Sequence, residues 1–420
     1  MWAIQQKLFK IYVILIFFSG MIQIIFPEQL VGFISDVILM IMLFNLFLIS
    51  DKVYGRVYWL FIALCFLLLL SCIYSYFNGN ELGAVLLSAR NFKYFLLCFI
   101  VLSIDVNSFN FVRKVILLLL SLSIPIAVYQ FNTADYTNPA WWDEVGGALG
   151  RVGQSGTLSL LILIFVAFEY FKRIRDGVKL FDWYLLLLIP MFINETKLVI
   201  LLIPLVFFYM FSVMGKRYLT KFVLLLPFVI IAGFAANFIY YVNFNVSPFD
   251  AIDYEFIENY FFIDEQYASQ EIDIGRGTRV VYAMDYLSSQ DLSVSLFGEG
   301  IGSTFWGQYS GIEGKIASEF FYLKLHIGSR NQLYQFLLDF GYLGTTLIYS
   351  AFFYMWYTVV KAGVNRDSSL LAMIVIPIFI FSTIYQMVFE TRVIVFLFAY
   401  SFLLCMCENK TKVKNENFNS

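Results

Sequence analysis

Stretches of about 20 apolar residues, each long enough to cross a ~30 Å hydrocarbon layer, recur along this chain from one end to the other. No single soluble core hides so much: of 420 residues, 60% are hydrophobic and only 14% are charged. The expectation is therefore an all-α polytopic membrane protein of about 12 transmembrane helices. The candidate spans are 11–27, 30–49, 57–77, 93–105, 115–131, 155–171, 181–193, 198–214, 219–241, 333–360, 369–387 and 391–407. The 48 phenylalanines and 28 tyrosines suit a lipid-facing surface with aromatic belts at both interfaces.

An even span count puts both termini on one side, and lysine and arginine decide which. Eighteen of the 28 cations fall together when the spans alternate, in the segments holding Lys7/Lys10, Lys52/Arg56, Arg113/Lys114, Lys172–Lys179, Lys216–Lys221, Lys361/Arg366 and Lys410–Lys414. That side is expected to be cytoplasmic. The chain then divides into an N-terminal transmembrane bundle over 1–241 (about nine helices), a large periplasmic loop over 242–332, C-terminal transmembrane helices over 333–408 and a polar, disordered-looking cytoplasmic tail over 409–420. The large loop thus precedes the last three helices. A second outward segment, 132–154, carries Trp141, Trp142 and the Gly146-Gly147 pair. Outward loops longer than a connector needs are where function concentrates.

Several classes drop away. A net charge of −2 points to no nucleic-acid partner. The five cysteines all sit in or beside apolar stretches, and Cys405 and Cys407 are spaced wrongly for a metal pair, so neither a disulfide framework nor a zinc site is expected. The first apolar segment has no small-residue cleavage site after it and reads as a retained helix.

Ten cations oppose the topology: Arg90, Lys93, Arg151, Lys197, Arg276, Arg279, Lys315, Lys324, Arg330 and Arg392. Six of these ten are arginine, against six of the eighteen inward ones. Arginine is the side chain whose planar fork binds phosphate oxygens two at a time, whereas lysine serves well as a topology marker. Cations beside a span need a partner: a lipid headgroup, a nearby acid such as Glu195 or Glu390, or an anionic ligand. For the set as a whole, a lipid-linked diphosphate fits, with its phosphates at the interface and its tail in the bilayer.

The run Arg330-Asn331-Gln332 through Asp339-Phe340-Gly341-Tyr342-Leu343-Gly344 resembles a signature of the O-antigen polymerase/ligase superfamily, in which a His-Asn pair opens a helix and an acidic residue and Gly-x-x-Gly follow. Arg279 followed by Gly298-Glu299-Gly300-Ile301-Gly302-Ser303-Thr304-Phe305 is similar to that family's Arg and G-x-G-x-G-x-F pair. Arg151-Val152-Gly153 resembles its Arg-Gly element, and Thr196-Lys197 stands where ligases often show Ser-Arg. Arg330 occupies the place of the family's histidine, and the only histidine, His326, lies four residues earlier, on the same face if 326–334 is helical.

The resemblance implies glycosyl transfer outside the cytoplasm of a bacterial inner (plasma) membrane, with polyprenyl-diphosphate-linked oligosaccharide as donor and acceptor and membrane lipid around it. A chain-length regulator is a further implied partner. Arginines would stabilise the departing diphosphate without a metal or other cofactor. The diphosphate candidates are Arg279 and Arg330, then Arg151, Lys197, Arg90 and Arg276. The catalytic base candidates are His326, then Glu299 and Glu319. Weak agreement at the ligase-like Ser-Arg and His-Asn positions favours a polymerase over a ligase that moves polymer to lipid A core. A flippase of the same lipid-linked unit is the reading from another class; transporters place charges at the midplane and show related halves, and this chain does neither.

Overall fold

The computed structural model describes residues 2–48, 55–93, 108–133, 145–150, 154–177, 187–188, 190–191, 197–215, 220, 276–305, 312–320, 331–386, 388–390 and 392–418. The regular elements among them are helical. In chain order they are α1 (Trp2–Phe17), α2 (Ser19–Ile22), α3 (Glu28–Leu48), α4 (Gly55–Phe77), α5 (Leu82–Asn91), α6 (Ser108–Asn132), α7 (Ser155–Asp176) and α8 (Lys197–Met214). The C-terminal part supplies α9 (Arg276–Ser289), α10 (Leu292–Phe297), α11 (Lys315–Phe320), α12 (Gln332–Ala362), α13 (Asp367–Tyr385) and α14 (Arg392–Phe418).

Three of these helices, Ser108–Asn132, Gln332–Ala362 and Asp367–Tyr385, are long and apolar enough to cross a membrane; shorter apolar stretches cover Leu30–Asn45, Ile62–Phe77, Leu202–Met214 and Arg392–Met406. Their surfaces differ by position. Helix α13 is apolar all round, and nearly every side chain from Ser368 to Ile380 is buried, which makes it the centre of the bundle. Helices α12 and α14 pack on it through aromatic rings: Phe379 stacks on Phe398 with centroids 4.0 Å apart, and Phe352 meets both edge-on. At the rim, α3 leaves Phe33, Val37, Met40 and Phe44 exposed at helical spacing, a continuous apolar stripe that water would penalise and acyl chains would not.

Local sequence sets the element ends. Helix α7 stops at Gly177, whose left-handed backbone (φ 74°) turns its N–H back onto the carbonyls of Arg173 and Ile174. Helix α12 starts where the Asn331 side chain accepts the Tyr334 N–H at 2.7 Å. Pro125 in α6 and Pro377 in α13 sit inside their helices, a position that membrane-spanning helices tolerate.

The four residues 363–366 join α12 to an antiparallel α13, so Asn331 and Tyr385 share one end of the bundle and Ala362 and Asp367 the other. Ion pairs fasten the second end. Lys172 and Arg175 on α7 both reach Asp367, the latter at 2.6 Å, and Arg113 on α6 pairs with buried Glu169.

The stretch 82–91, which lies between two expected spans, is the helix α5. The segment 242–332 contains the helices α9, α10 and α11. The tail, expected to be disordered, is instead helical as far as Phe418, because no glycine or proline stands between Arg392 and that point to stop α14. The spans expected at 93–105 and 219–241 fall almost entirely outside the described residues and that at 181–193 falls mostly outside them, while Trp141 and Trp142 lie wholly outside.

Candidate functional site

Helix α12 is broken at Gly341, whose φ of 63° and ψ of −171° belong to no helix. The break withdraws the carbonyls of Leu338 and Asp339 from the regular ladder, since Tyr342 and Leu343 no longer present their N–H groups to them. Those oxygens are buried and need donors. They find them in the glycine-rich loop 298–305: Glu299 N–H donates to the Leu338 carbonyl at 2.8 Å and Gly300 N–H to the Asp339 carbonyl at 3.1 Å.

The two strands of contact touch so closely that neither tolerates a side chain. A Cβ on Gly341 would lie 2.5 Å from Gly298 N and from the Leu296 carbonyl, and a Cβ on Gly298 (φ 76°) 2.6 Å from backbone atoms of residues 339–341. On its other flank the loop presses against α4 and α5, where Cβ atoms on Gly300 and Gly302 would strike Ser75 and Ala84. The glycine spacing is thus a docking pattern.

Polar side chains complete the joint. Ser71 Oγ accepts the Ile301 N–H at 3.0 Å and donates to the Asp339 carbonyl at 3.3 Å, while Ser75 Oγ donates to the Ile301 carbonyl at 2.7 Å. Asn80 spans three backbone groups: its Nδ2 donates to the carbonyls of Ser75 and Glu299, and its Oδ1 accepts the Lys315 N–H at 2.9 Å. Within α12, the fully buried Asp339 carboxylate accepts from Ser303 Oγ at 2.8 Å and Thr304 Oγ1 at 3.4 Å.

Glu299 is buried to 1% exposure. Tyr286 OH donates to its Oε1 at 2.6 Å, and Lys315 Nζ reaches both oxygens at 3.1 and 3.2 Å. A buried carboxylate is costly unless charge and hydrogen bonds compensate it, and here both do. The Lys315 side chain stays 40% exposed, so the pair has one wet face. Three donors on an ammonium leave one for a group arriving from that face.

Arg279 lies on the same face of α9 as Ala283, Tyr286 and Leu287, and is the largest fully buried side chain described. Ala283 and Leu287 belong to the apolar cluster that joins α9 to α12 through Tyr334, Leu337 and Leu338. The far end of α9 is pinned by Tyr342 OH, which donates to the Met284 carbonyl at 2.9 Å. Arg279, Glu299 and the start of α12 are therefore parts of one packed unit.

The other sequence-derived candidates divide by what is described. Arg90 sits elsewhere at this end of the bundle, paired with Asp36 at 2.8 Å. Lys197, Arg276 and Glu319 are placed by their helical backbones alone, in α8, α9 and α11. His326, Arg330 and Arg151 lie outside the described residues. Just before Arg151, the Gly146-Gly147 pair forms a buried turn on α6, with Gly147 N–H donating to Gln130 Oε1 at 2.7 Å.

Sequence reasoning passed over Ser71, Ser75, Asn80, Tyr286 and Asp36. Ser71 and Ser75 carried a usable signal, two hydroxyls one turn apart in an otherwise apolar helix end; Asp36, a single acid inside an apolar run, carried another. Compared in sequence with protein-family models and with curated proteins, the chain matches none of them.

Proposed function

We propose that this protein is a multi-pass glycosyltransferase of the O-antigen polymerase type, joining polyprenyl-diphosphate-linked oligosaccharide repeat units on the outer face of a bacterial inner membrane. About 12 spans and cytoplasmic termini belong to the same reading. The observation that carries it is the union of the motif residues: Arg279, the 298–305 loop, Asn331, Asp339 and Gly341, spread over some sixty positions of sequence, pack as one unit at one end of the bundle.

The diphosphate goes to Arg279 and Arg330, with Arg151, Lys197 and Arg276 behind them, because guanidinium groups neutralise a departing diphosphate without a metal. His326 takes the acceptor hydroxyl's proton. Glu299 is a weaker base on geometric grounds, since Lys315 and Tyr286 already occupy its oxygens. It serves instead to hold Lys315 beside the loop.

The test is the surface-polysaccharide ladder on a gel, with and without the protein. Collapse to core plus a single repeat unit supports polymerisation. Loss of all lipid A-linked glycan, with polymer still accumulating on the polyprenyl carrier, makes the protein a ligase instead. An unchanged ladder removes both and returns the transporter reading.

A further inference from the structure

A second group of cations gathers away from the glycine loop. Arg90 Nε and Nη2 contact Asp36 at 2.9 and 2.8 Å, and Lys93 Nζ pairs with the other oxygen of the same carboxylate. Arg392, the first residue of α14, completes the group: its Nη2 and that of Arg90 lie 3.6 and 3.4 Å from the point where Gly32 would carry a Cβ. Arg90 and Arg392 are both near enough to Lys93 to repel its charge. Among the described side chains, three positive charges thus face one carboxylate, with the Arg90 side chain 45% exposed. Asp36 neutralises one charge, and the N-terminus of α14 adds a further positive potential. Gly32 has no side chain at the point where the two guanidinium groups approach each other.

The surroundings are apolar. Leu30 and Phe33, which flank Gly32 on α3, and Leu86, one turn before Arg90 on α5, are exposed. Phe92, between Arg90 and Lys93 in sequence, turns inward instead and lines an apolar crevice with Leu64, Leu68, Phe336 and Phe389. A ligand matching both features has an anionic head and a hydrocarbon tail.

We infer that Arg90, Lys93 and Arg392, gathered round Asp36 and Gly32, bind the phosphate headgroup of a membrane lipid, with its tail against the exposed apolar face of α3. This site is separate from the Arg279–Glu299 unit and does not depend on the polymerase reading. Arginine forks chelate phosphate oxygens in pairs, and the topology expected from the sequence would set these span-flanking cations at the depth of a headgroup.

The full-length protein in detergent micelles, titrated with dioleoyl phosphatidic acid and followed by native mass spectrometry, tests it. Dioleoylglycerol, with the same tails and no phosphate, and inorganic phosphate are the comparison probes. Retention of phosphatidic acid at least tenfold above dioleoylglycerol is expected, falling at least tenfold in Arg392→Gln and in Gly32→Leu. The glycine variant keeps every charge and sets bulk against both guanidinium groups, so its loss of binding at an unchanged unfolding temperature separates a ligand site from a merely structural role for Arg392. Equal retention of dioleoylglycerol overturns the proposal, as does unchanged binding in both variants. Displacement by millimolar inorganic phosphate would show a free-anion site and overturn the lipid assignment. None of these readings involves polymer formation, so a failure here leaves the ladder experiment standing, and the reverse holds.

Discussion

The backbone N–H of Glu299 donates to the carbonyl of Leu338 at 2.8 Å, an oxygen freed by the break at Gly341 three residues further along α12. One helix defect thereby holds a remote loop, and the loop in turn fixes a buried carboxylate. Stability, more than any exposed group, is where this joint can be probed first.

Gly341 and Gly363 offer a matched comparison. Their backbones are alike (φ 63°, ψ −171° and φ 78°, ψ 170°), but an added Cβ at Gly363 meets nothing within 4 Å. Gly363→Ala bears only the backbone strain, about 1–2 kcal/mol, whereas Gly341→Ala must also push the loop away and costs at least ~2 kcal/mol more. Thermal unfolding of both variants in detergent measures the difference; equal shifts would mean the loop docks too weakly to matter.

Lys315→Met strands the buried Glu299 carboxylate. A loss of about 2 kcal/mol is expected, moderated because Lys315 is half-exposed. Adding Glu299→Gln should recover more than half of it, a positive coupling in the double-mutant cycle. A double variant as unstable as the sum of the two singles would place the Lys315 effect elsewhere.

At the opposite end, Glu169 is 2% exposed and its partner Arg113 is 32% exposed. Arg113→Met leaves the acid unpaired and should cost about 2–3 kcal/mol, while Glu169→Gln, which removes the buried charge itself, should cost under about 1 kcal/mol. Chemical unfolding read by tryptophan fluorescence gives both numbers, and a reversed order would contradict the pairing.

On the functional side, Arg279→Lys should abolish the polymer ladder while leaving at least half of the protein in the membrane. A lysine keeps the charge but loses the fork, and the expected fall in turnover is on the order of 100-fold. His326→Ala should behave alike. Full ladders from the His326 variant at normal protein levels would remove that residue as the base.

The apolar runs made helices α3, α4, α6, α8, α12, α13 and α14 legible in advance, because a run of that length leaves the backbone no other way to bond itself away from water. The resemblance placed a helix start at Asn331, and the structure supplies the local reason, a short side chain capping a nearby N–H. Helix α5 was missed since ten residues with a serine, an arginine and a glycine give too short and too weak a pattern.

The sequence by itself determined which long apolar segments are helical and which residue types are available at one end of the bundle. Only the tertiary structure decided how they meet. It chose Asp36 as the partner of Arg90, 54 residues away, and Asn80 as the clasp on Lys315, 235 residues away. It also gave the glycines of 298–302 a packing role against α12, α4 and α5. Helix formation is specified within a few turns of chain, whereas an ion pair or a close backbone approach depends on which distant surface packing delivers, and nothing in the spacing of residues records that.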